Sequence, residues 1–309
     1  MALALSKRLG GLSMAASSTP SSTLPSTGLL LIGMGMGTCQ GMTVEAKQAA
    51  AAADHRRYEA YTALWPEDEL TALENEIGPI QRVMRPEVEQ PEALFELAKD
   101  ALVALLVVGD PLQATTHVDL QLRAEASGLP CHVIHGISIT SVVTGAIGLS
   151  NYKFGRQTTL TYPYGEWIAT SPLEVLASNW EQHLHTLALL DLDPTGQGTG
   201  DQRPMRPSDA VESMRRMWDK LQETADEPLS ETYVRRAFRE FSSKLYLQQV
   251  FDDIPVVLCS DMGTPQQAIV ATTLGRLGEE KGGRLNALVF PANTSEVEDK
   301  ALLRWRRGE

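Results

Sequence analysis

The sequence predicts an α/β fold made of two α/β domains of similar size, each a sheet covered by helices. Three observations predict it. Short apolar runs such as 29-LLLIG-33 and 102-LVALLVV-108 carry no polar alternation, so they read as strands buried on both faces. Helical patterns lie between such runs, the alternation that builds a largely parallel sheet. A junction at 135-HGIS-138 then separates the strand 131-CHVIHG-136 from a helix of small residues.

The folded part opens with the strand at 29–33, which enters the glycine turn 33-GMGMG-37. Thr43 is placed to cap the Ala-rich helix 44-VEAKQAAAAAD-54, its hydroxyl accepting from a free N–H of the first turn. Helices follow at 67-EDELTALENEI-77 and 92-EALFELAKDA-101, then the strand at 102–108. Pro111 fixes φ and removes a donor, so this strand ends at 109-GDP-111 with Asp110 at its tip. The helix 115-TTHVDLQLRAEASG-128 stops at Gly128, and the strand at 131–136 closes the first half. The second half starts with the helix 139-ITSVVTGAIG-148. Strands are expected at 157-QTTLTYP-163, 186-TLALLDL-192, 255-PVVLCSD-261 and 285-LNALVFP-291. Helices fill the gaps at about 172–182, 208–223, 231–250 and 265–280, and the turn residues of 194-PTGQGTGDQRP-204 make it a loop. The chain thus divides into 1–27, 28–136 and 137–309, without an internal repeat.

Composition narrows the function classes. Hydrophobic residues make up 43% of the 309, enough for a sizeable core, and no apolar run reaches the length of a membrane span. A net charge of −12 argues against nucleic acid as a main partner, because phosphate binding needs clustered Lys and Arg. Cys39, Cys131 and Cys259 lie far apart without metal-ligand spacing; their odd count reads as reduced thiols in an intracellular, cytoplasmic protein. Residues 1–27 are rich in Ser, Thr, Pro and Gly, as in 17-SSTPSSTLPST-27, a composition of disorder. With Lys7, Arg8 and no acid before Glu45, this stretch reads as a transit peptide or as an extension without a role.

In open α/β sheets ligands bind beyond the carboxyl ends of strands. Three strand ends qualify. The turn 33-GMGMG-37 lets backbone approach a ligand, though it is no full dinucleotide fingerprint, so a nicotinamide reading rests on glycines alone. Asp110 projects from the second, where it either faces a ligand or caps the next helix. Ser138 and Ile139 open a helix at the third, offering free N–H groups to an anion or simply forming a cap.

Taken together these pieces carry a resemblance. The stretches 30-LLIGMGMG-37, 43-TVEAKQAA-50, 58-YEAYT-62, 107-VVGDPLQATTHVDLQLRA-124, 128-GLPCHVIHGISI-139, 152-YKFG-155 and 185-HTLALLDLD-193 resemble the diphthine synthases. These form a branch of the tetrapyrrole methylase-like family of S-adenosylmethionine-dependent methyltransferases. The resemblance covers about residues 29–193 and thins from 200 onward. It implies the two-domain tetrapyrrole methylase fold, with S-adenosylmethionine in the interdomain cleft. It implies that Asp110 helps hold this cofactor, with Met36, Gln113, Ser138, Ile139, Leu190 and Met262 lining the site. It further implies a homodimer that needs no metal and methylates the amino group of a 3-carboxy-3-aminopropyl-histidine on translation elongation factor 2. Tyr58, Tyr61 and His117 are base candidates only by their closeness to these motifs. Asp191 and Asp193 read as a strand-end turn rather than a metal site.

Two departures keep alternatives open. Ser295 stands where the family pattern leads one to expect His, and 231-ETYVRRAFREFSSKLYLQQVF-251 looks inserted, with Tyr233, Ala237, Phe241 and Leu245 on one stripe. That helix packs on its own core, extends a dimer or meets a protein substrate. A tetrapyrrole acceptor, or a non-catalytic elongation factor 2 binder with a decayed cofactor site, are the competing readings.

Overall fold

The structure is a computed structural model that describes residues 24–200, 202–223 and 234–307. Most of the expected extension over 1–27, and Tyr233 with the start of the inserted helix, lie outside the described residues.

The first sheet has the order β3-β2-β4-β1-β5 and is parallel throughout. Its strands are β1 (Gly28–Gly33), β2 (His55–Glu59), β3 (Gln81–Val83), β4 (Leu102–Val107) and β5 (Cys131–Ile134). The helices α1 (Val44–Ala52), α2 (Glu67–Ile77), α3 (Arg85–Glu89), α4 (Glu92–Asp100) and α5 (His117–Ala126) accompany them. Leu30, Ile32, Ala104 and Leu106 pack into one apolar core, and Leu29, Leu31, Val103 and Leu105 into another. Alternate side chains leave opposite faces of a strand, so these two cores are the two covered faces of β1 and β4. Thr43 caps α1 as expected, accepting from Ala46 N–H at 3.0 Å.

β2 and β3 were not expected. The run 55-HRRYE-59 is polar and its first three residues are half-exposed. The Arg56 guanidinium folds back onto the Ala50 and Ala51 carbonyls at 2.7 and 2.8 Å. Those are unpaired acceptors in the last turn of α1, and a cation there also meets the favourable end of the helix dipole. An interior strand can therefore carry arginine.

The second sheet has the order β6-β7-β10-β8-β9. It comprises β6 (Thr158–Leu160), β7 (Thr186–Leu190), β8 (Pro255–Ser260), β9 (Ala268–Thr273) and β10 (Asn286–Phe290). Only β6 and β7 pair in parallel; β10 runs antiparallel to β7 and β8, and β9 antiparallel to β8. Its helices are α6 (Ile139–Ala146), α7 (Ser171–Glu181), α8 (Pro207–Glu223), α9 (Val234–Tyr246), α10 (Leu274–Leu277) and α11 (Glu296–Leu303). The expected helix over 265–280 is corrected: 268-AIVATT-273 is β-branched and pairs residue by residue with β8, leaving only the short α10. The stripe expected on α9 is corrected too. Among its described side chains Ser242, Ser243 and Tyr246 are buried, the Tyr246 ring standing edge-on to Trp180 of α7, while Phe241 is exposed. No helix of the described residues is long and apolar enough to cross a membrane.

The motif 152-YKFG-155 is a structural knot. Lys153 Nζ donates to Glu298 Oε2 at 2.7 Å, and Glu298 Oε1 accepts from Ser150 N–H at 2.9 Å. His185, fully buried, lies 3.2 Å from the same Oε1 through Nε2 and accepts from Ala292 N–H through Nδ1 at 3.0 Å. Ser295 caps α11, and Glu298 closes the box by accepting from Ser295 N–H at 2.8 Å. Burial alone would raise the Glu298 carboxyl; hydrogen bonds from Lys153, Ser295, Ser150 and His185 outweigh it and hold the group well below the usual carboxylate range. The folded pKa is depressed, so this stabilisation is complete above the ordinary value of 4.5 and is lost as pH falls below it. Glu298→Ala is expected to cost about 3 kcal/mol, because it strands a lysine and several N–H groups. Urea unfolding at pH 7 checks it, and the deficit should shrink as the unfolding is repeated toward acid.

Candidate functional site

Every strand of the first sheet ends on the same edge, so the loops after β1, β4 and β5 meet there. They meet through glycine. A Cβ on Gly136 would lie 2.2 Å from the Gly109 carbonyl oxygen and 2.8 Å from Gly33 Cα. The β1 and β4 loops are also stitched together, Gly35 N–H to Gly109 O at 3.1 Å and Gly109 N–H to Gly35 O at 2.8 Å. Backbone, not side chains, therefore makes the floor of the cleft that opens above this edge.

The cleft runs between that floor and the ends of β7, β8 and β10. Met36, Gln113, Ser138, Ile139, Leu190 and Met262 all line it. Met36 follows β1, Gln113 follows the β4 loop, and Ser138 and Ile139 begin α6. Leu190 ends β7, and Met262 follows β8. Ser138 Oγ accepts from Thr140 N–H at 3.3 Å, so it is a helix cap as well as a wall residue. Thr140 Oγ1 donates to Gln113 Oε1, joining α6 to the β4 loop.

Asp110 is placed differently from its neighbours. It is 5% exposed and is not among the lining residues, whereas Val108 and Gly109 are. Oδ1 accepts from Leu112 N–H at 2.9 Å. Oδ2 accepts from Gly136 N–H at 3.3 Å and lies 2.8 Å from His135 Nδ1. The carboxylate thus fastens the β4 loop to the segment that joins the two halves.

The cleft also takes in residues that the strand pattern did not suggest: Thr62, Leu64, Leu192, Cys259, Asp261 and Arg284. Asp261 was discoverable, since it is the last residue of the expected strand 255-PVVLCSD-261. Its oxygens accept from Leu285 and Arg284 N–H at 2.9 and 3.1 Å, so it is occupied by its own loop. Burial pushes the Cys259 thiol up to about 12, making it an apolar wall rather than a nucleophile. Tyr58, Tyr61 and His117 do not line the cleft. His117 is buried with Nδ1 3.0 Å from the Pro111 carbonyl, and burial lowers its pKa. Tyr58 is also buried, which pushes it up to about 12, and its hydroxyl accepts from Trp65 N–H at 2.8 Å.

Ser295 lies past Phe290, whereas β10 meets the cleft through Asn286 and Ala287 at its other end. It is a helix cap and not a cleft residue. Asp191 and Asp193 accept backbone N–H groups of their own turn, Asp193 from Thr195 at 2.8 Å and Gly198 at 2.6 Å. Among the described residues no group of three or more His, Cys, Asp or Glu is placed to hold a metal.

Comparison with known proteins bears on this architecture. The family of Tetrapyrrole (Corrin/Porphyrin) Methylases matches residues 28–278. A diphthine synthase of Halorubrum lacusprofundi is 32% identical over 283 residues, 89% of this chain and 95% of that relative. One from Methanospirillum hungatei is 35% identical over 166 residues, 53% of this chain and 66% of that relative. A crystal structure of diphthine synthase superposes with a TM-score of 0.71 at 26% identity, covering 90% of this chain and 95% of that one. The family match runs from β1 through α10, stopping short of β10, and by it and the full-length relatives this chain belongs to the tetrapyrrole methylase family, in its diphthine synthase branch, and is a methyltransferase.

Proposed function

We propose that the protein uses S-adenosylmethionine to methylate the amino group of the 3-carboxy-3-aminopropyl-histidine on translation elongation factor 2, in diphthamide biosynthesis. The observation that carries this reading is the cleft itself. A backbone floor, an aliphatic and thioether wall of Met36, Leu190 and Met262, and the polar side chains of Gln113, Ser138 and Thr140 suit a zwitterion with a flat base. S-adenosylmethionine supplies a methyl group on a positively charged sulfur. The protein's part is to align an amine behind that methyl group, and orientation of this kind carries much of a displacement. Asp110 contributes by holding the floor loops together. The same reading makes the protein a cytoplasmic homodimer that meets its protein substrate at the cleft mouth.

The test is incubation with S-adenosylmethionine and elongation factor 2 bearing the aminocarboxypropyl histidine, followed by mass spectrometry of that peptide. Gain of up to three methyl groups is expected. No gain, with S-adenosylhomocysteine still bound, would turn the search to small acceptors such as tetrapyrroles. Loss of both would leave a non-catalytic binder.

A further inference from the structure

The motif 58-YEAYT-62 ends β2 on the cleft edge and holds a group that the reading so far does not use. Glu59 is fully buried. Its Oε2 accepts from Thr62 Oγ1 at 2.7 Å. Among the described residues no donor meets hydrogen-bond geometry at its Oε1, although the Tyr61 hydroxyl stands close enough to favour the charged carboxylate. Thr62 in turn lines the cleft. A buried carboxyl with one oxygen unmatched is costly, which makes it a candidate for function rather than support.

We infer that Thr62 and Glu59 form a proton relay that deprotonates the acceptor amine before each methyl transfer. The inference rests on the acceptor proposed above. The acceptor ammonium gives a proton to Thr62 Oγ1 as that hydroxyl passes its own proton to the Glu59 carboxylate. The freed lone pair forms the N–C bond while the C–S bond breaks and its electron pair stays on sulfur. The product amine is again an ammonium, and Glu59 returns its proton to solvent along the same path once the product has left the cleft. After the third transfer the nitrogen carries no proton and the relay has nothing to take.

The surroundings suit this task. Burial pushes the Glu59 carboxyl up to about 7, against the opposing pull of Thr62, Tyr61 and the Arg85 guanidinium. A base titrating near the working pH is the most effective one. Among the described residues the other ionisable groups at this corner include Tyr58, Tyr61, Glu89, Arg82 and Arg284; Arg85 lies over the Tyr61 ring at 5.2 Å and pairs with Glu89 at 3.3 Å. The other carboxylates near the floor are committed elsewhere, Asp261 to its own loop and Asp110 to the β4 loop.

The experiment is single-turnover methyl transfer to the modified elongation factor across pH, with binding of S-adenosylhomocysteine measured alongside. The parent rate should fall as pH drops through about 7, because the carboxylate is the active form. Glu59→Gln still accepts from Thr62 but takes no proton, so its rate should fall about 100-fold with binding unchanged, and the inflection near neutrality should vanish. Thr62→Val should show the same loss and Thr62→Ser should keep the parent rate. These two serve if Glu59→Gln fails to fold. A Glu59→Gln or Thr62→Val protein with the parent's rate and pH profile would overturn the relay alone. A parent protein that binds S-adenosylhomocysteine yet transfers nothing to this amine would overturn the proposed acceptor, and the relay with it.

Discussion

Gly136→Ala is expected to abolish S-adenosylhomocysteine binding and to destabilise the protein by about 3 kcal/mol. The new methyl group would sit 2.2 Å from the Gly109 carbonyl oxygen and 2.8 Å from Gly33 Cα. Those atoms are backbone, so no rotamer change relieves the clash. The β1, β4 and β5 loops must separate, and they carry Met36, Gln113 and Ser138 with them. Gly145→Ala is the control. It lies within α6, where nothing comes within 4 Å of the added carbon, and exchanging Gly for Ala inside a helix gains about 0.5–1 kcal/mol. Calorimetric titration and urea unfolding of the two variants separate a floor effect from a general intolerance of alanine. A Gly136→Ala protein with parental affinity would mean that the floor does not shape the site.

Asp110→Ala is expected to weaken S-adenosylhomocysteine binding more than about tenfold, a change of 1.4 kcal/mol, and to cost about 2 kcal/mol of stability. Both effects share one cause: Leu112 and Gly136 N–H lose their acceptor and the two loops part. Asp110→Asn should recover much of the stability, since its carbonyl oxygen can still accept from Leu112 N–H. The pattern also distinguishes support from contact. If both variants keep full stability while losing affinity, the carboxylate touches the ligand, and the orientation seen here changes on binding. If stability and affinity fall together, Asp110 acts through the floor.

Much of this architecture was legible in the sequence. β1 and β4 announced themselves because strands covered on both faces must be apolar throughout, although β4 stops at Val107, ahead of the turn at Gly109, rather than at Pro111. The α1 cap was legible because Thr43 stands directly before the helical run. β2 was not legible, since its arginines are tolerated through a tertiary contact of Arg56 with the end of α1. β9 was missed although its β-branched residues favour a strand, because its flanks 264-TPQQ-267 and 274-LGRLGEE-280 suit a helix. Within the cleft, strand ends and family motifs pointed to Met36, Gln113, Ser138, Ile139, Leu190 and Met262. The direction of the Asp110 carboxylate was hidden, as it depends on Gly136 and His135 arriving from another strand. Thr62 and Arg284 were hidden for the same reason, each reaching the cleft by way of the partner sheet or a neighbouring loop.

The glycine floor also sets what an engineer can change. A surface built from main-chain atoms offers no side chain to trim or enlarge, and three segments of the chain cross there in close contact, so a substitution cannot reshape it without parting them. Redesign of the pocket for a bulkier alkyl donor must therefore act on the opposite wall. Leu190 and Met262, on the side of the second sheet, are the adjustable parts, and shortening either enlarges the room without disturbing the crossing beneath.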